Sequence, residues 1–190
     1  FYFEHKKFDL AQKNLDEVLA KESGNKGALL VKYKFLVKDG KNQEAITQLT
    51  GLIKDFPQWA DAHFTKALAH MGQKETELAL SSLTEAVKYD RGNPKYHTTL
   101  AFLHLQGQKF DDAKKEAAIA LKLQPTNFPA ALLFAKSVLM AKEYDNAVKI
   151  FEDMNTKAPK NVEILGSLGL AYLGKKEPDK ALKAFKEVLA

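Results

Sequence analysis

The sequence predicts an all-α protein built from tandem pairs of antiparallel helices. Three observations predict it: a strict internal period, apolar residues at helical spacing within each period, and glycines and prolines that punctuate the helices. Alanine recurs at Ala11, Ala45, Ala79, Ala113, Ala147 and Ala181, each step being 34 residues without insertion or slip. Self-similarity at such a period is the signature of a repeat architecture. Four residues after each alanine stand Leu15, Leu49, Leu83, Ala117, Phe151 and Phe185, and three further on Val18, Leu52, Ala86, Ala120, Met154 and Val188. Spacings of four and three place side chains on one face of a helix.

Within a repeat, the first helix (helix A) carries a column of small residues, Ala67, Ala101, Ala135 and Gly169, with Tyr33 as the exception. Small side chains there let two helices approach closely. A short turn containing Gly40, Gly72, Gly107 or Gly174 follows, and then helix B with its alanine column. Twelve residues after the alanine, Pro57, Pro125 and Pro159 close helix B, since proline cannot continue a helix interior. Ser23 and Arg91 hold that place in two other repeats. In the second repeat these signals predict helix A over about 27–38 and helix B over about 43–55. The chain divides into a truncated first repeat at 1–25, full repeats at 26–59, 60–93, 94–127 and 128–161, and a last repeat at 162–190 cut within its helix B. All six form one continuous array. Tyr2 lies five periods before Tyr172, so the chain is expected to begin inside a helix A. Solenoids end in polar capping elements; the expectation is therefore a fragment of a longer array, with uncapped ends that offer surface for self-association.

Composition removes several function classes. The 190 residues are 45% hydrophobic and 28% charged, the balance of a soluble globular protein. The longest purely apolar run, Ala130 to Ala135, falls far short of the ~20 residues of a spanning helix, so no integral membrane segment is expected. The absence of cysteine excludes disulfides, thiolate zinc sites and cysteine nucleophiles. Net charge is +5, yet Arg91 is the only arginine and the lysines alternate with acids, as in Lys114-Lys115-Glu116. That pattern reads as a solvated helix surface, not a nucleic-acid groove.

No chemistry-bearing constellation emerges. His63 and His97 are one period apart, as are His70 and His104. Within a helix each pair is separated by seven residues, about 10 Å along the axis, too far to share one metal. These histidines read as half-buried replacements for large aromatic side chains. Asp111-Asp112 reads as a helix N-terminal charge feature. There is no G-x-S-x-G elbow and no phosphate-binding glycine loop. No catalytic residue, metal site or cofactor is expected, and the chain is not expected to be an enzyme.

A small residue, alanine twelve further on, a bulky residue four beyond, another apolar residue three later and a closing proline resemble the tetratricopeptide repeat. Pro94–Pro125 and Phe128–Pro159 carry the resemblance best, and it covers essentially the whole chain. The resemblance implies a right-handed superhelical α-solenoid of antiparallel helix pairs. Its concave groove, lined by helix A, holds an extended peptide or a partner helix. Carried over column by column, that groove presents Phe64, Leu68 and Phe102 as apolar anchors beside Thr65, Thr98 and Thr99, with Met71 near one end and Lys34 and Lys136 flanking. The lysine and asparagine clamp for acidic chaperone tails is not matched, because its columns hold residues such as Leu30, Thr65 and Leu132. The asparagine ladder of sugar-transferring repeat enzymes is not matched either: its column reads Val31, Thr65, Thr99, Leu133, Ser167.

The function so implied is a non-catalytic protein-interaction scaffold with a protein or peptide ligand. Two alternatives stand beside it: a regulatory or substrate-docking arm of an enzyme whose catalytic domain lies outside this chain, and an adaptor in polysaccharide or lipid assembly. The lysine-rich, nearly arginine-free style of repeat is similar to bacterial arrays, including repeat lipoproteins of exopolysaccharide and exosortase systems. Bacterial cytoplasm and periplasm both remain open from sequence.

Overall fold

The computed structural model describes residues 3 and 7–189. Among them are eleven α-helices and no strand. Tyr2, which carries the expectation of a start inside a helix, lies outside the described residues, as does His5. The chain forms two compact units, Phe1–Arg91 and Gly92–Ala190. The first holds α1 (Phe8–Lys21), α2 (Lys26–Lys38), α3 (Asn42–Asp55), α4 (Ala60–Gly72) and α5 (Thr76–Tyr89). The second holds α6 (Pro94–Gln106), α7 (Phe110–Leu123), α8 (Phe128–Met140), α9 (Tyr144–Lys157), α10 (Val162–Gly174) and α11 (Pro178–Val188). The A and B helices of the second repeat, α2 and α3, each start within one residue of the sequence expectation.

The B helices are classically amphipathic in pattern rather than capped. None has a side-chain N-cap, but each carries an acid in its first turn and a lysine in its last, as in Glu44 and Lys54 of α3. Charges so placed favour the helix dipole. The A helices are started by asparagine. Asn25, Asn93, Asn127 and Asn161 stand at one register, and each side chain accepts a backbone N–H of the first turn. Trp59 takes that register in α4 and gives no such bond.

Every A helix ends in the same way. The N–H of Lys41, Glu75, Lys109, Glu143 and Glu177 reaches back to the carbonyl five residues earlier, at 2.8–3.1 Å. This is the bond of a Schellman ending, which puts the preceding residue in the left-handed region. Those residues are Gly40, Lys74, Gln108, Lys142 and Lys176, with φ of 76°, 63°, 58°, 63° and 64°. Only the first turn gives this position to glycine. Gly72 and Gly174 are instead the last residues of α4 and α10, where a Cβ would meet Asn42 and the Tyr144 ring at 2.3 Å. Of the turn glycines foreseen from sequence, Gly40 thus serves turn geometry, whereas Gly72 and Gly174 serve close packing.

The alanine column is the seam of the fold. Ala45, Ala79, Ala113 and Ala147 are wholly buried, and Leu49, Leu83, Ala117 and Phe151 one turn later are wholly buried too. Burying a leucine such as Leu49 contributes roughly 1.5–3 kcal/mol. The small column of helix A answers it: a Cβ on Gly169 would stand 2.4 Å from the Phe185 ring. In the first unit the core joins Leu30 and Tyr33 of α2 to Leu49 and Leu52 of α3 and Ala62 and Ala69 of α4. In the second it joins Leu132 and Val138 of α8, Phe151 of α9 and Ile164, Leu168 and Tyr172 of α10.

Within each unit every helix packs on its neighbour in sequence, and helix A also packs on the next helix A: α2 on α4, α6 on α8, and α8 on α10. No comparable packing joins α3 to α5, α7 to α9 or α9 to α11 among the described residues. Within each unit the A helices pack on one another and the B helices do not, leaving clefts floored by an intervening helix A.

Candidate functional site

The residues assigned to the groove fall in both units. In the first, Lys34 of α2 and Phe64, Leu68 and Met71 of α4 are half-buried, on two A helices that pack together. Thr65 does not belong to such a surface. It is 1% exposed, and its hydroxyl donates to the Asp61 carbonyl of its own helix at 2.7 Å. Its neighbour Phe64 is left half-buried on the same turn. Thr65 turns into the helix–helix seam, and its hydroxyl is then satisfied locally.

In the second unit, Thr98, Thr99 and Phe102 lie on α6 and Lys136 on α8. Both threonine hydroxyls donate to carbonyls four residues back, Pro94 and Lys95, at 2.8 Å. Thr98 also accepts from the Asn127 side chain at 3.0 Å, which ties α6 to the capping residue of α8. These hydroxyls are committed to the scaffold. Phe102 is 39% exposed, and Leu170, in the same column on α10, is 54% exposed. Between them in that column stands Lys136, which pairs with Glu163 of α10. Leu173, one turn beyond Leu170, is exposed as well. Leu170 and Leu173 were not among the residues singled out from sequence, although Leu170 occupies the column of Phe102. What identifies them is exposure, which periodicity does not report.

The histidines do not converge. His70 Nδ1 lies 2.7 Å from Glu75 Oε2 across the α4–α5 turn, and His97 Nδ1 lies 2.7 Å from Glu116 Oε2 of α7. His63 Nε2 lies 2.8 Å from the Pro57 carbonyl. His63, His70 and His97 are buried, more fully than the half-buried state expected of them. Among the described residues no three His, Asp or Glu side chains are placed to hold a metal, and no helix is long and apolar enough to cross a membrane.

Charge is organised at the A–B turns of the second unit. Lys114 sits between Glu143 and Asp111, at 2.5 and 2.9 Å, and Lys175 between Asp145 and Glu177, at 2.8 and 3.3 Å. The lysine hydrogen bonds hold the Glu143 and Asp145 carboxyls below their usual values and raise both ammonium groups. Lys180, ahead of Lys175, does the same for Glu177. Burial, and then the bond from its hydroxyl to Glu152 at 2.5 Å, push Tyr172 up to about 12.

Helix pairs with one register of cap, turn and seam define an α-helical repeat protein. Profiles described as tetratricopeptide repeat match residues 70–137 and 138–190 in one case and 36–95 in another. The chain belongs to the tetratricopeptide repeat family. Tetratricopeptide repeat protein 21A of Mus musculus is 27% identical over 99 residues, 52% of this chain and 8% of that protein. The chain thus spans only a small part of that relative. Of solved structures, MamA residues 41 to the end from Desulfovibrio magneticus RS-1 matches with a TM-score of 0.80 at 13% identity, over 87% of this chain and 94% of that one. YrrB, described as a TPR protein with an unusual peptide-binding site, matches with a TM-score of 0.79 at 13% identity, over 92% and 90%. A crystal structure of MamA gives 0.74 at 22% identity, over 81% and 90%. At these identities the likeness is one of fold.

Proposed function

We propose that this chain is a non-catalytic protein-interaction scaffold whose helix-A faces receive a peptide segment or a partner helix. The observation that carries the reading is the column Phe102, Lys136, Leu170. It sets two exposed apolar side chains on either side of a cation, on three A helices packed in sequence. Apolar anchors with polar neighbours suit an amphipathic segment that brings an aliphatic or aromatic residue and an acid. Lys34, Phe64, Leu68 and Met71 offer the same mixture on α2 and α4. The YrrB description, a repeat protein of this fold with a peptide-binding site, supports the reading.

A displayed library of random twelve-residue peptides, selected on the intact chain, tests it. Enriched peptides should share apolar anchors and lose roughly 10-fold or more in affinity on Phe102→Ala with Leu170→Ala. The circular-dichroism melt of that variant should match the parent, because both side chains are exposed. Enriched peptides that bind parent and variant equally would overturn the reading.

A further inference from the structure

Within the second unit the A helices cover one another in turn. On α8, Leu132 and Leu139 are 8% and 7% exposed, and both join Ile164, Leu168 and Ala171 of α10 in one core cluster. α10 thus closes this face of α8, with apolar residues spaced i, i+4 and i+7. One period on, the same face of α10 is open. Gly166 and Leu173 stand where α8 has Leu132 and Leu139, and Leu173 is 49% exposed. Val162 and Leu170 complete the stripe, at 61% and 54%. Spacings of four, four and three put these residues on a single helix face about 16 Å long.

Three features of the stripe define what fits it. It carries no free charge: Glu163 is the only charged residue of α10, and it is paired with Lys136. It carries no hydrogen-bonding side chain, so an extended segment laid along it would leave the backbone groups that face it without partners. A helix arrives with those groups already bonded to one another. The stripe is also open at its centre, because a Cβ on Gly166 would meet nothing within 4 Å. A bulky side chain of an incoming helix fills that space.

We propose that this stripe of α10 receives a helix of a partner protein, packed as α10 packs on α8. The partner helix presents apolar residues at i, i+4 and i+7, with a large side chain over Gly166. The proposal rests on the helix-A face as the binding surface and names its occupant there, an amphipathic helix and not an extended peptide. Acids and lysines are excluded from the three contact positions, because the stripe holds nothing to pair them.

The test is a fluorescence-anisotropy titration of the intact chain with a labelled, lactam-bridged helical peptide of eighteen residues. It bears Leu, Phe and Leu at i, i+4 and i+7, with Lys and Glu elsewhere. Saturable binding is expected, with a loss of about 10-fold or more when proline interrupts the peptide helix. Val162→Asp with Leu173→Lys should cost about 10-fold or more and leave the melt of the protein unchanged, since an acid in the first turn and a lysine in the last suit the helix dipole. Gly166→Leu, which copies Leu132, should weaken the phenylalanine peptide and strengthen one with alanine in its place. Equal binding of the helical and proline peptides, or of the parent and the charged variant, would overturn the proposal. So would sedimentation in which the intact chain self-associates and the charged variant is monomeric, because a second copy would then cover the stripe. If the helical peptide fails while library peptides still depend on Phe102 and Leu170, the occupant is wrong and the scaffold reading stands; if neither binds, the scaffold reading falls with it.

Discussion

Replacing Lys74, Gln108, Lys142 and Lys176 together by glycine should stabilise the protein. All four sit at φ between 58° and 64°, the left-handed position that ends each A helix, while Gly40 occupies the same position in the first turn. A non-glycine residue there costs about 1–2 kcal/mol through its Cβ. Glycine returns roughly half of this gain as extra freedom in the unfolded chain. The net is about 0.5–1 kcal/mol at each site. The four sites are a full repeat apart and none of their side chains forms an ion pair among the described residues, so the effects add to about 2–4 kcal/mol. For a chain of this length each kcal/mol moves the melting temperature by about 2–4 °C, so a rise of roughly 4–16 °C is expected. Thermal melting by circular dichroism and urea midpoints measure it, with Gly40→Lys as the reverse experiment, expected to lose about 1 kcal/mol. A quadruple variant that melts at or below the parent temperature would refute the reasoning, as would an indifferent Gly40→Lys.

Two further outcomes follow from the packing and the charges. Gly169→Ala drives a Cβ to 2.4 Å from the Phe185 ring and should cost about 1–3 kcal/mol; adding Phe185→Leu, which copies the Ala67–Leu83 pairing, should recover most of it, and additive losses in the double variant would show the two sites to be independent. Stability should also fall at both pH extremes. The Glu143, Asp145 and Glu177 carboxyls lie below their usual values, so their contribution is complete above about pH 4.5 and is lost as pH falls through the folded values. Tyr172 is raised from 10.0 to about 12, so its contribution is complete below pH 10 and is lost between there and about pH 12. Melts across pH should show both steps, with Tyr172→Phe weakening the alkaline one, to which the raised Lys114, Lys175 and Tyr33 also contribute, and Lys114→Met with Lys175→Met weakening the acid one. An alkaline step of unchanged size in Tyr172→Phe would remove Tyr172 as a source of it.

The helices were legible because their signals are local. Proline at 57, 125 and 159 cannot continue the interior of the preceding helix, and apolar residues four and three apart share a face in any α-helix. The asparagine column at 25, 93, 127 and 161 keeps the same period, broken once by Trp59, but its meaning as a cap depends on where each helix starts to within one residue. The candidate surface was legible only in part. Phe64, Leu68 and Phe102 are found at a helix-A face, whereas Thr65, one residue from Phe64, is sealed in the seam. One position on a helix is a turn of 100°, enough to move a side chain from surface to core.

Sequence by itself determined that this is a repeat of helix pairs, because the 34-residue register, the small columns and the helix breaks are properties of the chain alone. Tertiary structure decided which of the periodic positions are closed and which are open. Equivalent residues such as Leu132 and Phe64, or Leu121 and Asn155, differ in burial or in hydrogen bonding because their neighbours in adjacent helices differ. Accessibility is set by the side chains that a fold brings against a residue, and no periodicity along one chain encodes those one at a time.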